Sequence, residues 1–189
     1  MSRLTRIVGR SPTILALAGL CVAAGCRATP AELAAPTAET SDGLVAHTRL
    51  SGYLPAPEGW ARGEISGGQV GSPDPPRSSS GTSYTRGAER IDLDIVDTSR
   101  QPEYVEATQE IAGTEFERVS ANGYFRGTTI GGHPAVESWN HVDKLGELTV
   151  LLVDRFVVHA SSSGLDDIDA LRQFVLLVDL ESVAKLEAR

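Results

Sequence analysis

The stretch "GYFRGTTIGGHPAVESWNHVDKLGELTVLLVDRFVVHA", Gly123 to Ala160, decides the fold. It breaks at Gly131-Gly132, at Lys144 to Gly146 and at Asp154-Arg155, residues with the chemistry of tight turns. The segments between them, Tyr124 to Ile130, Ala135 to Val142, Leu148 to Val153 and Phe156 to Ala160, are rich in β-branched and aromatic residues and are predicted as strands. Links this short demand antiparallel pairing, because parallel neighbours need a long crossover. Asn122-Gly123 adds a turn back to a strand at Phe116 to Ser120.

Towards the N-terminus, Ile91, Leu93 and Ile95 alternate with Asp92, Asp94 and Val96. That period of two marks a half-buried strand. Gly87-Ala88 turns it back onto a strand at Thr82 to Arg86. "RQPEYVEATQEIAG", Arg100 to Gly113, predicts a helix. Pro102 suits its first turn, Glu103 and Glu106 complement its positive end, Tyr104, Ala107 and Ile111 share one face, and Gly113 stops it. A first strand is expected at Trp60 to Ile65, after the prolines of "LPAPEGW". "SGGQVGSPDPPRSSSG", Ser66 to Gly81, reads as a long loop.

Beyond Ala160, Leu165 to Leu177 carries Ile168, Leu171, Val175 and Leu176 as an apolar helical stripe, with Asp166 and Asp167 at its start. Val178 to Leu186 predicts a short final helix. The expectation is an α+β domain over residues 50–189, with a single antiparallel sheet of about six strands packed by two main helices.

The first residues are of another kind. Arg3, Arg6 and Arg10 precede an unbroken apolar and small run, Thr13 to Gly25. The run is shorter than the ~20 residues needed to span a bilayer. A positive start, a short apolar stretch and small residues before a cut site mark a secretory signal peptide. "LCVAAGC", Leu20 to Cys26, resembles the lipobox of bacterial lipoproteins. Ala24 and Gly25 match its small residues, while Ala23 stands where leucine is usual. The resemblance implies cleavage between Gly25 and Cys26, with Cys26 carrying the lipid.

Cys21 is the only other cysteine; it follows bulky Leu20 and leaves with the signal segment. Cys26 would then be unpaired in an oxidising compartment, and acylation gives it a role. The alternative is an ordinary signal peptide cut near Ala24, leaving a free thiol. Residues 1–25 are thus read as signal peptide and 26–49 as lipidated N-terminus and flexible linker. The Ala, Thr and Pro content of "ATPAELAAPTAETSDGLVAHT", Ala28 to Thr48, favours such a tether. Arg27, in place of an aspartate, points to the outer membrane if the cell has two.

The element order, the "LPAPEGW" opening and the "DIVDT" strand end also resemble the PsbP-like domains. That resemblance implies a binding or assembly module and transfers no functional residue.

A net charge of −8 disfavours nucleic acid as a partner. The chain has no G-x-S-x-G, H-E-x-x-H, P-loop or C-x-x-C motif, and no cofactor is implied. Candidate groups remain. His133, His141 and His159 with Asp143 are possible metal ligands, while His47 falls in the tether. Asp92, Asp94 and Asp97 are the densest acid cluster, and Asp92 and Asp94 share a strand face that could hold Ca²⁺. "SSSG" occurs at Ser78 to Gly81 and at Ser161 to Gly164. Trp60, Trp139, Tyr124 and Phe125 could line a groove, though each of these groups also has a plain structural role open to it.

The expected function is a membrane-anchored envelope lipoprotein, non-catalytic, binding another envelope protein. The alternatives are an envelope hydrolase with a Ser or Asp beside one of the histidines, and a small-molecule or metal carrier.

Overall fold

The computed structural model describes residues 43–70, 76–99, 102–112 and 114–187. The signal run, the Gly25–Cys26 cleavage site, Cys26 and its lipid, and the linker through residue 42 lie outside the described residues. So do Gly113 and the side chains of Tyr104 and Ala107.

A short helix α1 (His47–Leu50) runs into a 3-10 turn (Ser51–Tyr53). Then come β1 (Ala61–Arg62), β2 (Ser66–Val70), β3 (Arg77–Arg86) and β4 (Glu89–Asp97). Helix α2 (Pro102–Ile111) leads to a meander of β5 (Glu117–Val119), β6 (Gly123–Ile130), β7 (His133–Asn140), β8 (Leu145–Leu152) and β9 (Phe156–Ser163). Helices α3 (Ile168–Val175) and α4 (Leu180–Ala184) follow. The strands form one nine-stranded antiparallel sheet in the order β1-β3-β4-β9-β8-β7-β6-β5, with β2 also on β3.

This corrects the expected α+β fold with about six strands. The protein is mainly β, and its helices are short. The stretch read as a loop supplies one of these strands, β2, and the first half of another, β3. Its serines and glycines pair as β2 and β3, from Ser66 opposite Gly81 to Val70 opposite Arg77. Two of the hydroxyls find carbonyl partners, Ser80 Oγ donating to Ser66 at 3.2 Å and Thr82 Oγ1 to Glu64 at 3.1 Å, while the buried Ser78 Oγ has none among the described residues. Small residues are required because α1 lies close. A methyl on Gly67 would meet the Ser79 carbonyl at 2.7 Å and the His47 ring at 3.0 Å. Residues 43–49, expected in the tether, bring Leu44 and Val45 into the core.

The meander follows its turn chemistry. Gly131 and Gly132 both adopt left-handed backbone (φ 58° and 85°), which joins β6 to β7 in two residues. The β7–β8 and β8–β9 pairs run in continuous register.

Alternation divides the sheet into two faces. Ile91, Leu93 and Ile95 of β4, Leu148, Val150 and Leu152 of β8, and Phe156, Val158 and Ala160 of β9 are fully buried on one face. Helices α3 and α4 cover it with Leu171, Phe174, Val175 and Val183, joined by Val45, Leu50 and Leu54. Asp167 caps α3, accepting from the Ala170 N–H at 2.9 Å, and Asp179 caps α4. On the other face, among the described residues, α2 packs through Val105 against Leu151 and Val157.

Two buried carboxylates lock the periphery to the sheet. Asp97 accepts from the Val45 N–H at 2.7 Å, the Ser99 N–H at 2.9 Å, and Arg155 Nε and Nη2 at 2.9 and 2.8 Å. Arg155 Nη2 also donates to the Gly43 carbonyl. Glu137 of β7 accepts from Arg126 Nε of β6 at 2.6 Å, and from Arg172 Nε of α3 at 2.7 Å and from its Nη2. Burial alone would raise the Glu137 carboxyl, but the bonds from Arg172 and Arg126 outweigh it and hold it below the usual carboxylate range.

Candidate functional site

A straight row of residues crosses the face that α2 covers only in part. Gly81, Asp94, His159, Thr149, Val136 and Gly127 stand directly opposite one another on β3, β4, β9, β8, β7 and β6. Helix α2 closes over the Gly127 end, where a methyl on Gly127 would meet the Ile111 carbonyl at 2.2 Å. The other end of the row stays open. There, a hollow of about 440 Å³ has Asp94, His159 and Thr149 as polar groups and Val96 and Val157 as apolar surface. Thr108 of α2 bounds it on one side and Ser79 and Arg77 of β3 on the other.

Thr149 Oγ1 lies 3.1 Å from His159 Nδ1, so the hydroxyl holds one ring nitrogen. The Asp94 carboxylate lies over Gly81 and accepts no hydrogen bond among the described residues. Burial pushes the Asp94 carboxyl above its ordinary value, His159 partly offsets this, and Asp92 adds to it. The carboxylate occupies space that only glycine leaves. A methyl on Gly81 would sit 1.9 Å from Asp94 Oδ1 and 2.8 Å from the Leu93 carbonyl. Gly81→Ala is therefore expected to cost about 1–3 kcal/mol, read from urea unfolding, with the Asp94 side chain displaced. A loss of a few tenths would show that the carboxylate moves aside freely.

The structure places the residues singled out in the sequence as follows. His47 is on α1, and His133, at the start of β7, has Nε2 3.3 Å from Glu181 Oε1. His141 is exposed in the turn after β7, where Asp143 binds Asn140 at 2.7 Å. The histidines are not brought together. Among the described residues no group of three or more His, Cys, Asp or Glu is arranged to hold a metal.

Asp92 and Asp94 share a face, as their spacing requires. Asp92 is gripped by Arg90 at 2.6 and 2.8 Å, while Asp97 points to the opposite face into its pair with Arg155. Of the first "SSSG", Ser78 and Ser80 are buried on the helix-covered face and Ser79 borders the hollow. Of the second, Ser162 is buried and Gly164 turns the chain with φ 77°.

Tyr124, Phe125 and Trp139 border one open hollow of about 390 Å³ along β6 and β7, and Trp60 stands apart from it. Trp60 packs edge-on against Phe174 at 5.3 Å, under Arg86. Trp139 is in the core with Tyr124 packed against it, and Phe125 meets Phe116 on the other face.

Thr149 and Thr108 have no motif that marks them, and Ser79 has only its place in "SSSG". The pairing of β3, β4, β9 and β8, which no local pattern encodes, brings the strand residues together. Chemically the hollow offers a carboxylate acceptor, an oriented imidazole and hydroxyls. β4, β9 and β8 each have a paired strand on both sides, so their backbone N–H groups are committed to the ladders. The strands under Asp94, His159 and Thr149 thus offer no pair of free donors to stabilise an oxyanion.

Comparison with protein-family models, with curated proteins and with solved structures returned no match.

Proposed function

We propose that this chain is a lipid-anchored bacterial envelope protein, held to the membrane through Cys26, whose domain works by binding and not by turnover. The observation that carries the reading is the run from Thr13 to Gly25 ending on Cys26, the one cysteine that remains after cleavage there. The open hollow supports binding, with converging polar groups over apolar surface. Residues 26–42 supply a polar, proline-containing stretch between anchor and domain.

Intact mass tests the anchor. The membrane-extracted protein is expected to begin at Cys26 with added acyl mass, and Cys26→Ala to remain unprocessed. An unmodified chain cut near Ala24 would remove the anchor and the envelope partner with it.

One contact favours a second reading, a hydrolase: the 3.1 Å approach of Thr149 Oγ1 to His159 Nδ1, a hydroxyl beside a base. It requires turnover of an ester or amide that Thr149→Val abolishes while folding is kept.

A further inference from the structure

We propose that the hollow between α2 and β3 binds a small organic amine, its ammonium group on the Asp94 carboxylate and its apolar body against Val96 and Val157. The inference rests on the binding reading above and names the ligand chemistry of that hollow. A volume of about 440 Å³ lies in the range of small-molecule sites, ~300–1,000 Å³.

The charge preference follows from how each ionised group around the hollow is partnered. Asp92 shares its face with Asp94 but is neutralised by Arg90 through both oxygens. Arg77 has a partner of its own. Asp94 accepts no hydrogen bond among the described residues, and burial pushes its carboxyl up, as befits a half-buried charge short of donors. An ammonium group supplies up to three donors and the compensating charge in one step.

A second, smaller hollow of about 300 Å³ lies on the other side of Asp94, and Glu64 there adds further negative potential. His159, with Nδ1 held by Thr149, is the neighbouring polar group for a hydroxyl or carbonyl on the same ligand. Val96 and Val157 sit one alternation along from Asp94 and His159 on the same strands, so apolar and charged ends of the ligand meet matching surface.

The test is a titration of the detergent-solubilised full chain, ¹⁵N-labelled, with benzylamine, benzyl alcohol and benzoate, following amide shifts by NMR. Benzylamine is expected to shift the amides of Asp94, His159 and Thr149 and to bind more tightly than the other two. Asp94→Asn should weaken benzylamine about tenfold or more and leave benzyl alcohol unchanged. Asp92→Asn, which changes the same net charge, should weaken it no more than about twofold.

Equal losses in the two variants would reduce the effect to the general acidic field and overturn the proposal. Tighter binding of the alcohol or benzoate at the same residues would reject the amine while leaving the binding reading in place. Shifts that map elsewhere, or none, would reject the site.

Discussion

Asp97→Ala is expected to destabilise the domain by about 3–5 kcal/mol in urea unfolding, a large part of the ~5–15 kcal/mol that holds a domain folded. The carboxylate is fully buried and accepts four hydrogen bonds, two from backbone N–H groups and two from Arg155. Its loss leaves the Val45 and Ser99 N–H groups without that acceptor and the Arg155 charge, 11% exposed, without its partner.

The damage should be directional. Val45 is the point at which residues 43–54 enter the core, and Leu44, Val45 and Leu50 are covered there. Limited proteolysis of the variant should therefore cut first in this segment, before the meander. Asp97→Ala combined with Arg155→Met should recover part of the loss, because the stranded charge goes with its partner. A single variant that loses less than about 1 kcal/mol would mean that solvent replaces the carboxylate readily.

Glu137→Leu should have a comparable effect, about 3 kcal/mol, by a different route. The carboxylate joins Arg126 of the outer part of the sheet to Arg172 of α3. Without it two guanidinium groups face one another across the helix–sheet contact. Both retain some exposure, 35% and 23%, which keeps the cost nearer the lower bound.

The pH dependence gives an independent check. The folded-state pKa of Glu137 lies below its ordinary value, so the folded form binds its proton less readily than the unfolded chain. Its contribution is complete above the unfolded value of about 4.3 and is lost as pH falls through the folded pKa. Unfolding midpoints followed downward from about pH 6 should fall more steeply for the native protein than for Glu137→Leu below that value. Parallel profiles would contradict the pairing.

How far the sequence discloses this structure depends on where the information for each element resides. Leu148 to Leu152 and Phe156 to Ala160 carry their own evidence: apolar density and a three-residue turn between them. The helix at Pro102 and the one capped by Asp167 are local in the same sense.

β2 and the first half of β3 are not. "SGGQV" and "RSSSG" have the composition of a loop and become strands through pairing, helped by Ser80, whose hydroxyl bonds to β2, and by Gly67, which leaves room for α1. Reading them as a loop leaves out one strand and half of another. The hollow fails to announce itself for a related reason. Asp94 and His159 stand out in the sequence only in separate sets, an acid cluster and a group of histidines, until the β4–β9 pairing places them face to face.

That pairing also dictates the order in which the sheet can be completed. β4 and β9 are neighbours at its middle, yet Asp97 meets Phe156 only after the whole meander between them has been delivered. For a chain released N-terminus first at ~5–20 residues per second, those ~60 residues take roughly 3–12 s. Throughout that interval the apolar row Ile91, Leu93 and Ile95 has one open flank, on a strand that could template against another chain. The seam can close only once β9 has emerged, with α3 and α4 still to follow. A chaperone that shields β4 during those seconds would protect yield without altering the finished molecule.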